Sequence, residues 1–104
     1  MINFVICCSQ GMSSSVLMKR MQDYVKEQQL DIAVKATTVD RILSEDCPFD
    51  ILMLGPQIRF EKNRIKEKFP NKVVDVIPMK AYGRLDGSEV VKTGLQLLEN
   101  NGGK

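Results

Sequence analysis

Apolar positions along the chain follow two rhythms, short continuous runs and three-to-four-residue spacing. Residues 2–8 (INFVICC) form a β-branched apolar run, and residues 9–15 (SQGMSSS) are small and polar around one glycine. Leu17, Met21, Tyr24 and Gln28 then recur at helical spacing, with Val16 and Val25 widening the stripe. This predicts strand, loop and amphipathic helix, the helix beginning near Ser13. Asp31 to Ala36 alternates as a second strand, and Thr37 or Thr38 suits the cap of a short helix with Val39, Ile42 and Leu43 on its apolar face. Cys47-Pro48 ends that helix. Asp50 to Gly55 is a continuous apolar run, the pattern of a central strand buried on both faces. Pro56 fits the first turn of a helix carrying Ile58, Ile65 and Phe69, which ends at Pro70-Asn71. Val73 to Ile77 predicts a fourth strand, Met79 to Leu85 a loop or single turn. Asp86 with Glu89 reads as a capping box opening a last helix that buries Val91, Gly94, Leu95 and Leu98. Gly94 on that apolar face predicts close approach to the sheet.

Four strands alternating with helices on short connections predict an α/β fold with a parallel sheet covered on both faces. The whole chain, 1–104, is expected to form one domain, with residues 100–104 a frayed tail.

Composition narrows the chemistry. The 104 residues contain no His, which excludes a histidine base, a phosphohistidine on this chain and a Ser-His-Asp triad. Fifteen basic against thirteen acidic side chains leave +2, too little to make nucleic acid the default partner. No run approaches the ~18 apolar residues of a membrane helix, so the chain is not expected to span one. Three Cys without CxxC spacing suit a reducing compartment, hence a cytoplasmic protein. No metal or cofactor is expected.

The chemistry gathers in Cys8, Ser9, Gln10, Gly11, Met12, Ser13, Ser14 and Ser15, at the first strand-to-helix turn. Glycine and small residues let successive backbone N–H groups turn inward, and the helix start adds unpaired N–H groups and a positive dipole end. Such a turn cradles an anion, usually phosphate. A thiol at its lip ionises below the ordinary ~8.5 and is then a nucleophile without a histidine base. Cys7, inside the strand, and Cys47, beside Pro48, read instead as structural. Pro56, Gln57, Arg59 and Tyr82 to Gly87 have softer claims, as pocket wall or partner surface. Asp86 serves better as a helix cap, and Lys62 to Lys68 as a solvated face.

The motifs CSQGMSSS, LGPQI at Leu54 to Ile58 and YGRLDG at Tyr82 to Gly87, in that order, resemble enzyme IIB of the lactose/cellobiose-type sugar phosphotransferase system. The resemblance covers essentially the whole chain. It implies strand order 2-1-3-4, similar to the low-molecular-weight tyrosine phosphatase phosphate-loop fold, and a phosphocysteine at Cys8. It implies a phosphohistidine donor on enzyme IIA, and as acceptor a β-linked disaccharide held by membrane enzyme IIC, with cellobiose, chitobiose and lactose all open. A monomer is expected. Cys7 departs from the commoner apolar residue of the family.

The main rival is a low-molecular-weight phosphatase or arsenate reductase, which needs Cys-x5-Arg to clamp phosphate. Counting from Cys8, that position is Ser14, and Lys19 and Arg20 stand too far along the helix. No Asp-Pro pair supplies the phosphatase acid. A flavin carrier is disfavoured by the scarcity of aromatic walls, and a receiver domain by Cys-Cys where an acidic pocket belongs.

Overall fold

The computed structural model describes residues 2–7, 11–44 and 48–102. Four strands, β1 (Ile2–Cys7), β2 (Ile32–Thr37), β3 (Ile51–Leu54) and β4 (Val73–Val76), form one sheet in the order β2-β1-β3-β4. Every neighbouring pair is parallel. Phe4 lies opposite Val34 on one side and Ile51 on the other, and Cys7 opposite Thr37 and Leu54. Both the parallel sheet and the strand order expected from the family resemblance are observed. The helices are α1 (Gly11–Glu27), α2 (Val39–Ser44), α3 (Lys62–Lys68), α4 (Met79–Gly83) and α5 (Gly87–Gly102), with a 3-10 segment at Pro56–Glu61.

Strand parity sorts the core into two layers. Phe4, Ile6, Ile51 and Met53 face Leu17, Met21 and Val25 of α1 and Val90 and Val91 of α5. Val5, Cys7, Leu52 and Leu54 face Val39 and Ile42 of α2, Ile58 of the 3-10 segment and Ile65 of α3. The unbroken run of β3 is therefore two alternating patterns superposed, one per layer. Each fully buried aliphatic side chain contributes about 1.5–3 kcal/mol of burial energy.

Local departures from the sequence pattern each have a cause. α1 begins at Gly11 rather than near Ser13, so Gly11 to Ser15 are helical and not loop. Glycine and serine cost little there, because the first four N–H groups of a helix have no intrahelical acceptor to lose. The stripe of α1 follows Leu17, Met21 and Val25, leaving Val16 44% exposed one position off it. The helix expected from Pro56 is broken: Ile58 leaves helical geometry (φ −118°, ψ 28°), which turns its side chain into the core, and its N–H donates to the Gly55 carbonyl at 3.0 Å. Met79–Gly83, expected as loop or single turn, is the short helix α4.

Two helices end on a left-handed residue that is not glycine. Gln29 (φ 55°) closes α1, with Leu30 N–H on Val25 O and Gln29 N–H on Lys26 O. Leu85 (φ 51°) closes α4 with the same pair of bonds, Asp86 N–H to Ala81 O and Leu85 N–H to Tyr82 O. This explains why the capping box at Asp86 is half made. Its carboxylate accepts from Glu89 N–H at 3.2 Å and from Ser88 Oγ at 2.7 Å, but its own N–H already serves Ala81. Thr38 caps α2 by accepting from Arg41 N–H at 3.3 Å.

Lys62 to Lys68 is not simply a solvated face. Lys62 Nζ pairs with Asp75 at 3.2 Å, Lys66 Nζ donates to Lys72 O at 2.6 Å, and Lys68 Nζ donates to Leu43 O. At the end of the chain, α5 remains helical to Gly102, through the start of the expected frayed tail. Leu95 and Leu98 are half-buried. The Cys47-Pro48 break falls at the edge of the described residues.

Candidate functional site

The chain leaves β1 toward β2 on one side and returns past it to β3 on the other, so the strand order reverses beside β1. Ligands of open α/β sheets gather at the carboxyl ends of the strands at such a point. At that end of β1, Cys7 is 0% exposed among the side chains of the α2/α3 layer, and its carbonyl accepts Gly55 N–H at 2.9 Å. Cys7 is a packing residue, as expected. Cys8, Ser9 and Gln10 lie outside the described residues, as does Cys47.

Gly11, Met12, Ser13, Ser14 and Ser15 open the 17-residue α1. Its first turn contains no acid, and Lys26 stands in its last turn. The charge pattern thus leaves the positive end of the helix without a compensating acid, while Lys26 and Glu27 offset one another at the other end. The other bank of the crevice follows β3. Gly55 and Pro56 are buried, Gln57 is exposed, and the guanidinium of Arg59 donates to Pro56 O at 3.1 Å. Pro56, Gln57 and Arg59 line a cavity of about 270 Å³ together with Met79, Tyr82 and Gly83 of α4. The second and third motifs therefore meet across the carboxyl ends of β3 and β4.

Comparison with known proteins places this geometry. The family model described as "PTS system, Lactose/Cellobiose specific IIB subunit" matches residues 3–93. The chain belongs to that family. Similar proteins include an oligo-beta-mannoside-specific EIIB component of Bacillus subtilis (strain 168), 30% identical over 96% of this chain and 99% of that one. A galactose-specific EIIB component of Lactococcus lactis subsp. cremoris (strain MG1363) is 34% identical, covering 89% of this chain and 93% of its own. Among solved structures, a cellobiose-specific IIB component from Borrelia burgdorferi superposes with TM-score 0.78 at 28% identity, over 96% of this chain and 94% of that one. A lactose-specific IIB domain from Streptococcus pneumoniae gives 0.76 at 13%, over 91% and 95%, and bears on the fold alone. This is a sugar-specific IIB component of the lactose/cellobiose type, a phosphotransferase-system protein.

The IIB geometry also bears on the phosphatase alternative. Ser14 occupies the place of the phosphate-clamping arginine. The nearby guanidinium, Arg20, is committed elsewhere, its Nη1 donating to Leu85 O at 3.1 Å and Arg84 O at 3.3 Å. Asp86 is a poor proton donor. The Ser88 hydroxyl first, then the Glu89 backbone N–H, hold its carboxyl below the usual Asp range against a smaller opposing effect of burial. Lys92 and Arg84 push the same way.

Two functional details escaped the sequence pattern. Arg20 ties α1 to the α4–α5 junction through backbone carbonyls, which no side-chain pattern announces. Gly83 sits in the wall of the cavity, whereas the pattern offered Tyr82 to Gly87 only as a unit. No helix among the described residues is long and apolar enough to cross a membrane.

Proposed function

We propose that this IIB component is a phosphoryl carrier working through Cys8. The thiolate attacks the phosphorus of a phosphohistidine on enzyme IIA; the S–P bond forms as the P–N bond breaks, and the electron pair leaves on the donor imidazole. Unpaired backbone N–H groups between Ser9 and the first turn of α1, at the unopposed positive end of that helix, hold the equatorial oxygens. In the second step a sugar hydroxyl held by membrane enzyme IIC attacks; the O–P bond forms, the S–P bond breaks, and the hydroxyl proton is released. The lack of an arginine at the Ser14 position and of an Asp-Pro pair suits a phosphothiol that must outlast its encounter with water.

The observation that carries this reading is the acid-free first turn of α1 starting four residues after the end of β1, with Cys8 the first residue between them. Relatives of similar identity are named for oligo-beta-mannoside, galactose and cellobiose. The mannoside- and cellobiose-specific relatives support a β-linked disaccharide as the acceptor class, whereas galactose is a monosaccharide, so the three point to no single sugar. The chain acts as one domain over residues 1–104, a monomer on the cytoplasmic side, with no metal or cofactor.

Mass spectrometry after incubation with phospho-IIA tests the nucleophile. Cys7→Ala and Cys47→Ala retain the phosphoryl adduct. Cys8→Ser loses it while folding normally, because its hydroxyl stays protonated without a base. An adduct that persists in Cys8→Ser, or vanishes only in Cys7→Ala, overturns the assignment. Robust turnover of a generic aryl phosphate by the wild type would favour the phosphatase instead.

A further inference from the structure

Gly83, Gly87 and Gly94 serve different ends. At Gly94 an added Cβ would lie 2.3 Å from the Phe4 ring, and at Gly87 2.5 Å from the backbone of Arg20 and Met21, so both are required by packing. At Gly83 nothing lies within 4 Å of that position. Nor does the backbone need a glycine there. The left-handed position of this helix stop is taken by Leu85, while no glycine among the described residues has a positive φ. A helical glycine lowers stability relative to alanine by about 1 kcal/mol. The chain therefore carries at Gly83 a residue that its own fold does not require.

Gly83 lines the cavity of about 270 Å³ between Pro56, Gln57 and Arg59 on one side and Met79 and Tyr82 on the other. The walls are largely apolar, with Arg59 the one charged side chain among the described residues that line them, and Met79 is 70% exposed at the rim. Lys80 and Arg84 line a separate cavity, with Asp86 and Glu89. An apolar cavity with an adaptable methionine and the Arg59 guanidinium fits an apolar side chain of a protein partner with an acid beside it. A sugar ring, carrying hydroxyls on every edge, would find too few polar groups. The cavity also opens at the carboxyl end of the sheet, since Pro56 follows the Gly55 whose N–H holds the Cys7 carbonyl.

We propose that Gly83 keeps this cavity open for an apolar anchor side chain of the phosphohistidine donor, enzyme IIA. The assignment rests on the phosphocarrier reading above and adds the surface by which the donor is seized.

Gly83→Ala and Gly83→Leu test it, followed by thermal melting and by phosphorylation kinetics with a lactose/cellobiose-type IIA in its phosphohistidine form. Gly83→Ala melts at or above the wild-type temperature, because it gains helix propensity and meets no clash. Gly83→Leu fills the cavity and raises KM for phospho-IIA by about tenfold or more, with kcat at saturation within about twofold. Met79→Ser raises KM in the same sense without filling anything. An unchanged KM in folded Gly83→Leu overturns the proposal, as does a lowered melting temperature in Gly83→Ala. So does a change confined to transfer onto the sugar through IIC, which would assign the cavity to the acceptor side. If the wild type accepts no phosphate, the carrier reading fails on its own. Calorimetric titration with unphosphorylated IIA then still decides docking, by whether Gly83→Leu weakens it about tenfold.

Discussion

Phe4 and Gly94 show how far single residues were legible in the sequence. A glycine on the apolar face of a helix announced close approach to the sheet, and the aromatic ring of β1 fills the space where its side chain would stand. Gly94→Ala forces that ring or the helix to move, and overpacking of this kind costs about 1–3 kcal/mol. Chemical denaturation should register the loss as a lower midpoint at unchanged slope. The same logic ran out at Leu85 and Gln29. Left-handed backbone favours glycine or asparagine, so a leucine and a glutamine gave no hint of these turns. Cys7 was legible as a packing residue, because it stands inside the apolar run of β1, and the structure buries it completely.

At the scale of elements, alternation and helical spacing located all four strands and the two long helices, since each buries a continuous face. Short elements were less legible. α4 has a single buried residue, Ala81, so five residues carry too little periodicity to separate helix from turn. The break at Ile58 is likewise a tertiary effect, decided by where the second core layer needs an isoleucine. The start of α5 was legible in Asp86, whose carboxylate binds the Ser88 hydroxyl and the Glu89 N–H, interactions that lower its pKa. An acid with a folded pKa below its unfolded value of about 3.9 stabilises above that value and loses the contribution as pH falls through the folded one. Below pH ~4, melting temperature should therefore fall more steeply in the wild type than in Asp86→Asn, which keeps an acceptor without titrating. Parallel curves for the two proteins would deny the cap its charge.

For the molecule as a whole, one sheet divides two cores, and the candidate site lies where that sheet's strand order reverses. The fold was readable, because βα alternation fixes a parallel sheet, and such a sheet offers its carboxyl end to ligands. The cavity beside Gly83 was not, since it is assembled from residues 56–59 and 79–83, and nothing in either segment alone reports the other. The contact between residues 4 and 94 also has a temporal consequence. Synthesis delivers β1 first, yet the cover for the α1-side face of that strand is completed only by α5, some ninety residues later. Until then Phe4 and Ile51 remain open to water or to other chains, and the nascent protein depends on what shelters it. A chain stopped after Leu85 should accordingly bind a hydrophobic dye and fall to dilute protease, where the full chain does neither. The step that finishes the fold waits for α5, so a message interrupted before that helix yields no partly working protein.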